Sequence, residues 1–137
     1  MVKELTLEAT LENVTCVTAF VNEQLEAFDC EIKVQRQIAV VIDELFSNIA
    51  RYAYGAQTGM ATVRVEIQQN PWLVDISFID SGMPFNPLTH EAPVFGPTAK
   101  ERKSGGFGIT IVKRSMDDVC YEYRDGCNIT KITKTFR

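Results

Sequence analysis

With 137 residues the chain has room for one domain with a real core and is too short for two of ordinary size. Its 45% hydrophobic and 23% charged residues are those of a globular protein, and no apolar run reaches the length needed to cross a bilayer. A net charge of -4 and a pI near 5.0 argue against general nucleic-acid binding, which needs a basic surface, so any phosphate partner is expected to be a small ligand.

The first residues, Met1 to Leu7, alternate like a strand and lack the apolar core of a secretory signal, which predicts a cytoplasmic protein without a membrane partner. Lys3 to Ala9 is the first predicted strand. Thr10 is the predicted N-cap of helix one, whose apolar positions Leu11, Val14, Val17, Val21, Leu25 and Phe28 fall at helical spacing. A second helix is predicted from about Glu31 to Tyr54, stopped by Gly55. At ~100° per residue, its Gln37, Glu44, Asn48 and Arg51 form a narrow polar stripe beside the apolar stripe of Ile38, Ile42, Leu45 and Ile49. Val41 and Phe46 border the polar stripe, so it is not a freely solvated face. A carboxylate and a carboxamide at i, i+4 suit a site in which one group takes a proton and the other offers oxygen to a hard cation.

Ala61 to Ile67 and Trp72 to Ile79 read as a hairpin turned at Asn70-Pro71, with Val63, Val65 and Ile67 inward. Asp80 then closes the second strand, followed by Gly82, where backbone can approach a ligand. From Ser81 to Gly106 the periodicity disappears. Pro84, Pro87, Pro93 and Pro97 fall here with Gly82, Gly96, Gly105 and the cations Lys100, Arg102 and Lys103, which predicts a lid over about 81–106. Helix three is expected to open at Gly105-Gly-Phe-Gly108, a natural anion cradle, and to carry Ile109, Val112 and Met116. Strands at Asp118 to Tyr123 and Asn128 to Phe136 follow, joined by an Asp125-Gly126 turn. Cys16, Cys30, Cys120 and Cys127 show no metal-site spacing, and the single histidine, His90, lies in the Pro-rich stretch, so the cysteines read as reduced, small apolar residues. The expected architecture is α+β: a two-layer sandwich whose mixed, mostly antiparallel sheet is covered on one face by about three helices.

Glu44 and Asn48 on a helix, Asp80-Ser-Gly-Met-Pro-Phe-Asn-Pro87 after a strand, and Gly105-Gly-Phe-Gly108 opening a helix together resemble the N, G1 and G2 boxes of the GHKL (Bergerat-fold) ATPase superfamily. Within it the chain looks most like the single-domain serine/threonine kinases that act as bacterial anti-sigma factors, a likeness that Tyr121-Glu-Tyr-Arg-Asp-Gly-Cys-Asn128 supports. The resemblance implies ATP and Mg²⁺ as cofactors. It implies Glu44 as general base, Asn48 as the Mg²⁺ ligand, Asp80 as reader of the adenine amine, and Gly82 and Phe85 beside the base. Gly105, Gly106, Phe107 and Gly108 would meet the phosphates. Read from this sequence, Lys100 and Arg102 add lid cations and Thr130 a second adenine contact. The implied partners are a STAS-type anti-anti-sigma protein as substrate, a sigma factor, and a second copy in a homodimer. Tyr52 stands where many relatives carry a histidine, Pro84 where the wider superfamily has a glycine, and Asn86 where an Asp is frequent. The competing reading is a non-catalytic, ATP-gated interaction module.

Overall fold

The computed structural model describes residues 1–89 and 108–136. Five strands form one sheet: β1 (Val2–Glu8), β2 (Met60–Gln68), β3 (Leu73–Asp80), β4 (Asp118–Arg124) and β5 (Cys127–Thr135), in the order β1-β2-β3-β5-β4. Every pairing among them is antiparallel, so among the described residues the mostly antiparallel sheet expected from sequence has no parallel member. Two hairpins, β2–β3 and β4–β5, are joined edge to edge, and β5 rather than β4 lies against β3. That placement sets Asp80 directly opposite Asn128.

Alternation decides which side of the sheet is covered. Val63, Val65 and Ile67 of β2, Val74, Ile76 and Phe78 of β3, and Ile132 of β5 are all buried, while the residues between them are intermediate. Against this face lie α1 (Val14–Glu26), through Val17, Val21 and Leu25, and α2 (Ile32–Asn48), through Ile38, Val41, Ile42, Leu45 and Phe46. A third helix, α3, is described over 108–115 and buries Ile109 and Val112, with Met116 just beyond it, as its spacing predicted. Phe46 is fully buried, so its truncation to Ala would cost about 3–5 kcal/mol through lost transfer energy and a residual cavity. Trp72 closes one end of the core between Phe28 and Phe136, with ring centroids 5.6 and 5.9 Å away.

The local departures from expectation have physical causes. Thr10 makes no side-chain cap. It precedes a 3₁₀ turn at Leu11–Asn13, and the Asn13 amide instead donates back to the Glu8 carbonyl at 2.8 Å. The second helix does not run uniformly to Tyr54, because after Asn48 it widens into a π-helical turn, Ile49–Ala53. Gly55 does terminate it, at φ +61°. Asp125 and Gly126, at φ +55° and +77°, form the tight turn between β4 and β5. Of the cysteines, Cys30 is buried, and burial followed by the charge of Glu31 pushes its thiol up to about 11, whereas Cys16 and Cys120 are exposed. No described helix is long and apolar enough to cross a membrane.

Candidate functional site

The functional side chains gather where the end of α2, the end of β3 and the start of β5 meet. A recess opens there, walled by Leu45, Ile49, Phe78, Met83 and Phe85, with Asn48, Asp80, Asn128 and Thr130 as its polar lining. Phe78, Thr130 and the Asp80–Asn128 pair are cross-strand neighbours, so the sheet register itself builds the floor.

Asp80 is only 5% exposed. Its Oδ1 accepts the Gly82 N–H at 2.9 Å and the Asn128 Nδ2–H at 3.0 Å. Burial raises the Asp80 carboxyl above its ordinary value, and these two bonds pull it back toward the ionised form. No described residue donates to Oδ2, which leaves one carboxylate oxygen for a donor entering the recess.

The π-helical turn explains how the loop after β3 is held. It delivers the Ala53 carbonyl to the Met83 N–H at 2.9 Å, and a Cβ added at Gly82 would collide with that same carbonyl. Gly82 is therefore glycine because backbone packs on backbone. Tyr54 adds a second tie: its hydroxyl accepts the Ser81 N–H at 2.9 Å and donates to the Met60 carbonyl. Gly82→Ala is expected to push the loop off Ala53 and to destabilise the fold by about 1–3 kcal/mol, the scale for overpacking at a filled site. Thermal melting checks this, and an unchanged melting temperature would show that the loop moves freely.

Glu44 and Asn48 share a face of α2, as their spacing requires. Asn48 lines the recess and Glu44 lies one turn earlier, half-buried. A Cβ at Gly108 would overlap the Glu44 carboxylate, so the start of described α3 is pressed against it. Glu44 Oε1 is buried with no hydrogen-bond partner among the described residues. Burial, then the neighbouring Asp43, raises the Glu44 carboxyl, while Arg51 and the Asn48 side chain act the other way. A buried, proton-affine carboxylate with an unused oxygen is suited to take a proton. Tyr52 packs its ring on Phe85, at 5.8 Å between centroids, and so backs the wall of the recess.

Of the residues singled out in the sequence, Asn48, Asp80, Phe85 and Thr130 line one recess, Gly82 is tied to it through Asp80, and Glu44 and Gly108 meet each other one helical turn before Asn48. Lys100, Arg102, Gly105, Gly106, Phe107 and His90, with most of the expected lid, lie outside the described residues. Among the described residues no cluster of three or more His, Cys, Asp or Glu could hold a metal ion. The residue that sequence reasoning missed is Asn128. The available signal was its phase in β5, since alternation puts it on the inward side with Thr130 and Ile132, where an amide needs partners.

The two-layer α+β frame thus carries a buried carboxylate under an apolar recess, beside a helix that offers a carboxylate and an amide. The sequence matches the histidine kinase-like ATPase domain over residues 7–134, and the chain belongs to that family. Among curated proteins it is 23% identical, over 96 residues, to the serine/threonine-protein kinase BtrW of Bordetella bronchiseptica, covering 70% of this chain and 67% of that one. Its fold superposes on the crystal structure of the RsbU and RsbW domains of Rv1364c from Mycobacterium tuberculosis, with a TM-score of 0.70 and 17% identity. That superposition covers 99% of this chain and 32% of the other, so the chain spans about a third of that protein's length in the crystal.

Proposed function

We propose that this chain is a cytoplasmic Mg-ATP-dependent protein kinase that phosphorylates a serine or threonine of a small STAS-type anti-anti-sigma partner and, as a homodimer, sequesters a sigma factor. The observation that carries the reading is the Asp80 carboxylate, buried beneath an apolar recess with one oxygen accepting two hydrogen bonds and the other without a donor among the described residues. An aromatic base fits apolar walls, and an exocyclic amine fits the open oxygen. Membership of the histidine kinase-like ATPase family supports ATP as the nucleotide, and the kinase named in Bordetella bronchiseptica supports transfer to protein.

Bound Mg-ATP supplies the phosphoryl group. Within this reading Asp80 accepts from the adenine amine, Phe85 and Ile49 flank the base, and Thr130 offers a second polar contact. Asn48, which lines the same recess, would hold Mg²⁺ with its side-chain oxygen, and the metal would neutralise charge on the phosphates; a magnesium ion needs few protein ligands, which is compatible with the lack of an acidic cluster among the described residues. Glu44 takes the proton of the partner's hydroxyl on its unused oxygen. Gly105, Gly106, Phe107 and Gly108 are assigned to the phosphates, with Lys100 and Arg102 as outer cations. The test is incubation with γ-labelled Mg-ATP and a small STAS-type protein. Label on a serine or threonine of that protein is expected. ATP binding without label would make the chain a nucleotide-gated interaction module.

A further inference from the structure

We infer that Asn128 is the positioning residue of the base recess: its amide fixes which oxygen of Asp80 faces a ligand and thereby sets the preference for a base bearing an exocyclic amine. This rests on the reading of the recess as an ATP site, and it assigns a role to a side chain that the reading does not otherwise use.

Asn128 is 4% exposed and stands opposite Asp80 in the β3–β5 register. Its Oδ1 accepts the Phe85 N–H at 3.0 Å and the Tyr121 hydroxyl, while Nδ2 donates to Asp80 Oδ1 at 3.0 Å and to the Met83 carbonyl at 2.9 Å. Donors therefore face the oxygen and acceptors face the nitrogen. Turning the amide over would set donor against donor and acceptor against acceptor, so its orientation is fixed by its partners. One side chain thus ties together the floor of the recess at Asp80 and its rim at Met83 and Phe85.

The consequence falls on Asp80. A carboxylate's terminal torsion is broad and nearly two-fold, so rotation is restrained chiefly by its hydrogen bonds. With Asn128 and Gly82 both donating to Oδ1, that oxygen is used, and Oδ2 is presented to the recess as an acceptor alone. An adenine amine satisfies it; a carbonyl at the same place, as in hypoxanthine, sets acceptor against acceptor. An apolar residue at 128 would pack equally well on the sheet but would leave Asp80, Met83, Phe85 and Tyr121 each short of a partner.

Removing a donor also raises the proton affinity of Asp80, and protonation turns an acceptor into a donor. Among the described residues, the balance at Asp80 is set by burial, then Asn128 and Gly82. The titratable neighbours are Tyr54, Tyr121 and Cys127, and burial raises both tyrosines, which keeps them neutral near pH 7. Weaker ATP binding should therefore set in at a higher pH, on acidification, in Asn128→Ala than in the wild type. Asn128→Asp should behave oppositely. Two facing carboxyls share one proton, and acquiring it restores the donor to Asp80, so ATP binding should strengthen as pH falls from 8 to 6.

The experiment is calorimetric titration of ATP and inosine triphosphate into the wild type, Asn128→Ala and Asn128→Asp between pH 6 and 8. The wild type is expected to prefer ATP. Asn128→Ala should weaken ATP about tenfold or more while changing inosine triphosphate little, so that the preference collapses. A parallel loss of both nucleotides, or an unchanged preference with an unchanged pH profile, would reduce Asn128 to packing and overturn the proposal. A wild type that binds neither nucleotide would overturn the reading of the recess itself.

Discussion

Replacing Asp80 by Asn is expected to weaken ATP binding at least ~10²-fold, the scale of a charge-assisted hydrogen bond exchanged for a buried mismatch. The direction follows from the donors already in place. Gly82 N–H and Asn128 Nδ2–H both point at Oδ1, so the new amide must turn its oxygen toward them. Its NH₂ group then faces the recess and meets the adenine amine donor to donor. Burial at 5% exposure denies water the chance to relieve the clash. Because the amide is nearly the size of the carboxylate, the fold should melt within a few degrees of the wild type. Calorimetry measures the loss directly, and an unchanged affinity would remove Asp80 from the nucleotide site.

Glu44→Gln should separate binding from chemistry. Asn48 lines the recess and Glu44 does not, so Mg-ATP affinity is expected to stay within about threefold while transfer to protein falls by ~10²-fold or more, the usual scale for a positioned base. The pH dependence carries its own sign. The base must be ionised to act, so the transfer rate should rise with pH through the Glu44 titration. Burial and then Asp43 raise that titration from its ordinary value, against the opposing effects of Arg51 and Asn48. Glu44→Gln should flatten this limb as well as lower the rate. Equal losses in affinity and rate, with the limb intact, would make Glu44 a structural residue.

Much of this arrangement was legible in the sequence because it rests on periodicity and end signals. The spacing of Glu44 and Asn48, the alternation of Val63, Val65 and Ile67, and the stops at Gly55 and Asp125-Gly126 are local properties, and the strands β1 to β5 each stand within about one residue of their expected bounds. The gathering of Asn48, Asp80, Phe85 and Thr130 was reached through a pattern of motifs rather than through any one of them. The order of the sheet was not legible. Nothing local tells β5 to lie between β3 and β4, and without that order Asn128 cannot be set against Asp80. The π-helical turn was equally hidden, since Ile49 to Ala53 has an ordinary helical composition. Its widening serves the packing of Ala53 on Gly82, a contact between segments about thirty residues apart.

Tyr52 shows the same limit on a smaller scale. It stands where many relatives carry a histidine, and only the structure shows that its ring packs on Phe85. Cys16 and Cys120 are exposed, although their composition class suggests interior residues. Side chains of that size are tolerated on either side of an amphipathic boundary, and only the packed neighbours decide.

The most direct test of the account is a titration of ATP into isotopically labelled protein, followed through its backbone amide resonances. Saturable shifts are expected first at Gly82, Met83 and Phe85 after β3 and at Asn128 and Thr130 in β5, with Asn48 joining when Mg²⁺ is added. Shifts confined to another surface, such as the open recess around Lys33 and Lys134, or no saturable shift at all, would contradict the assignment of the Asp80 recess as the nucleotide site.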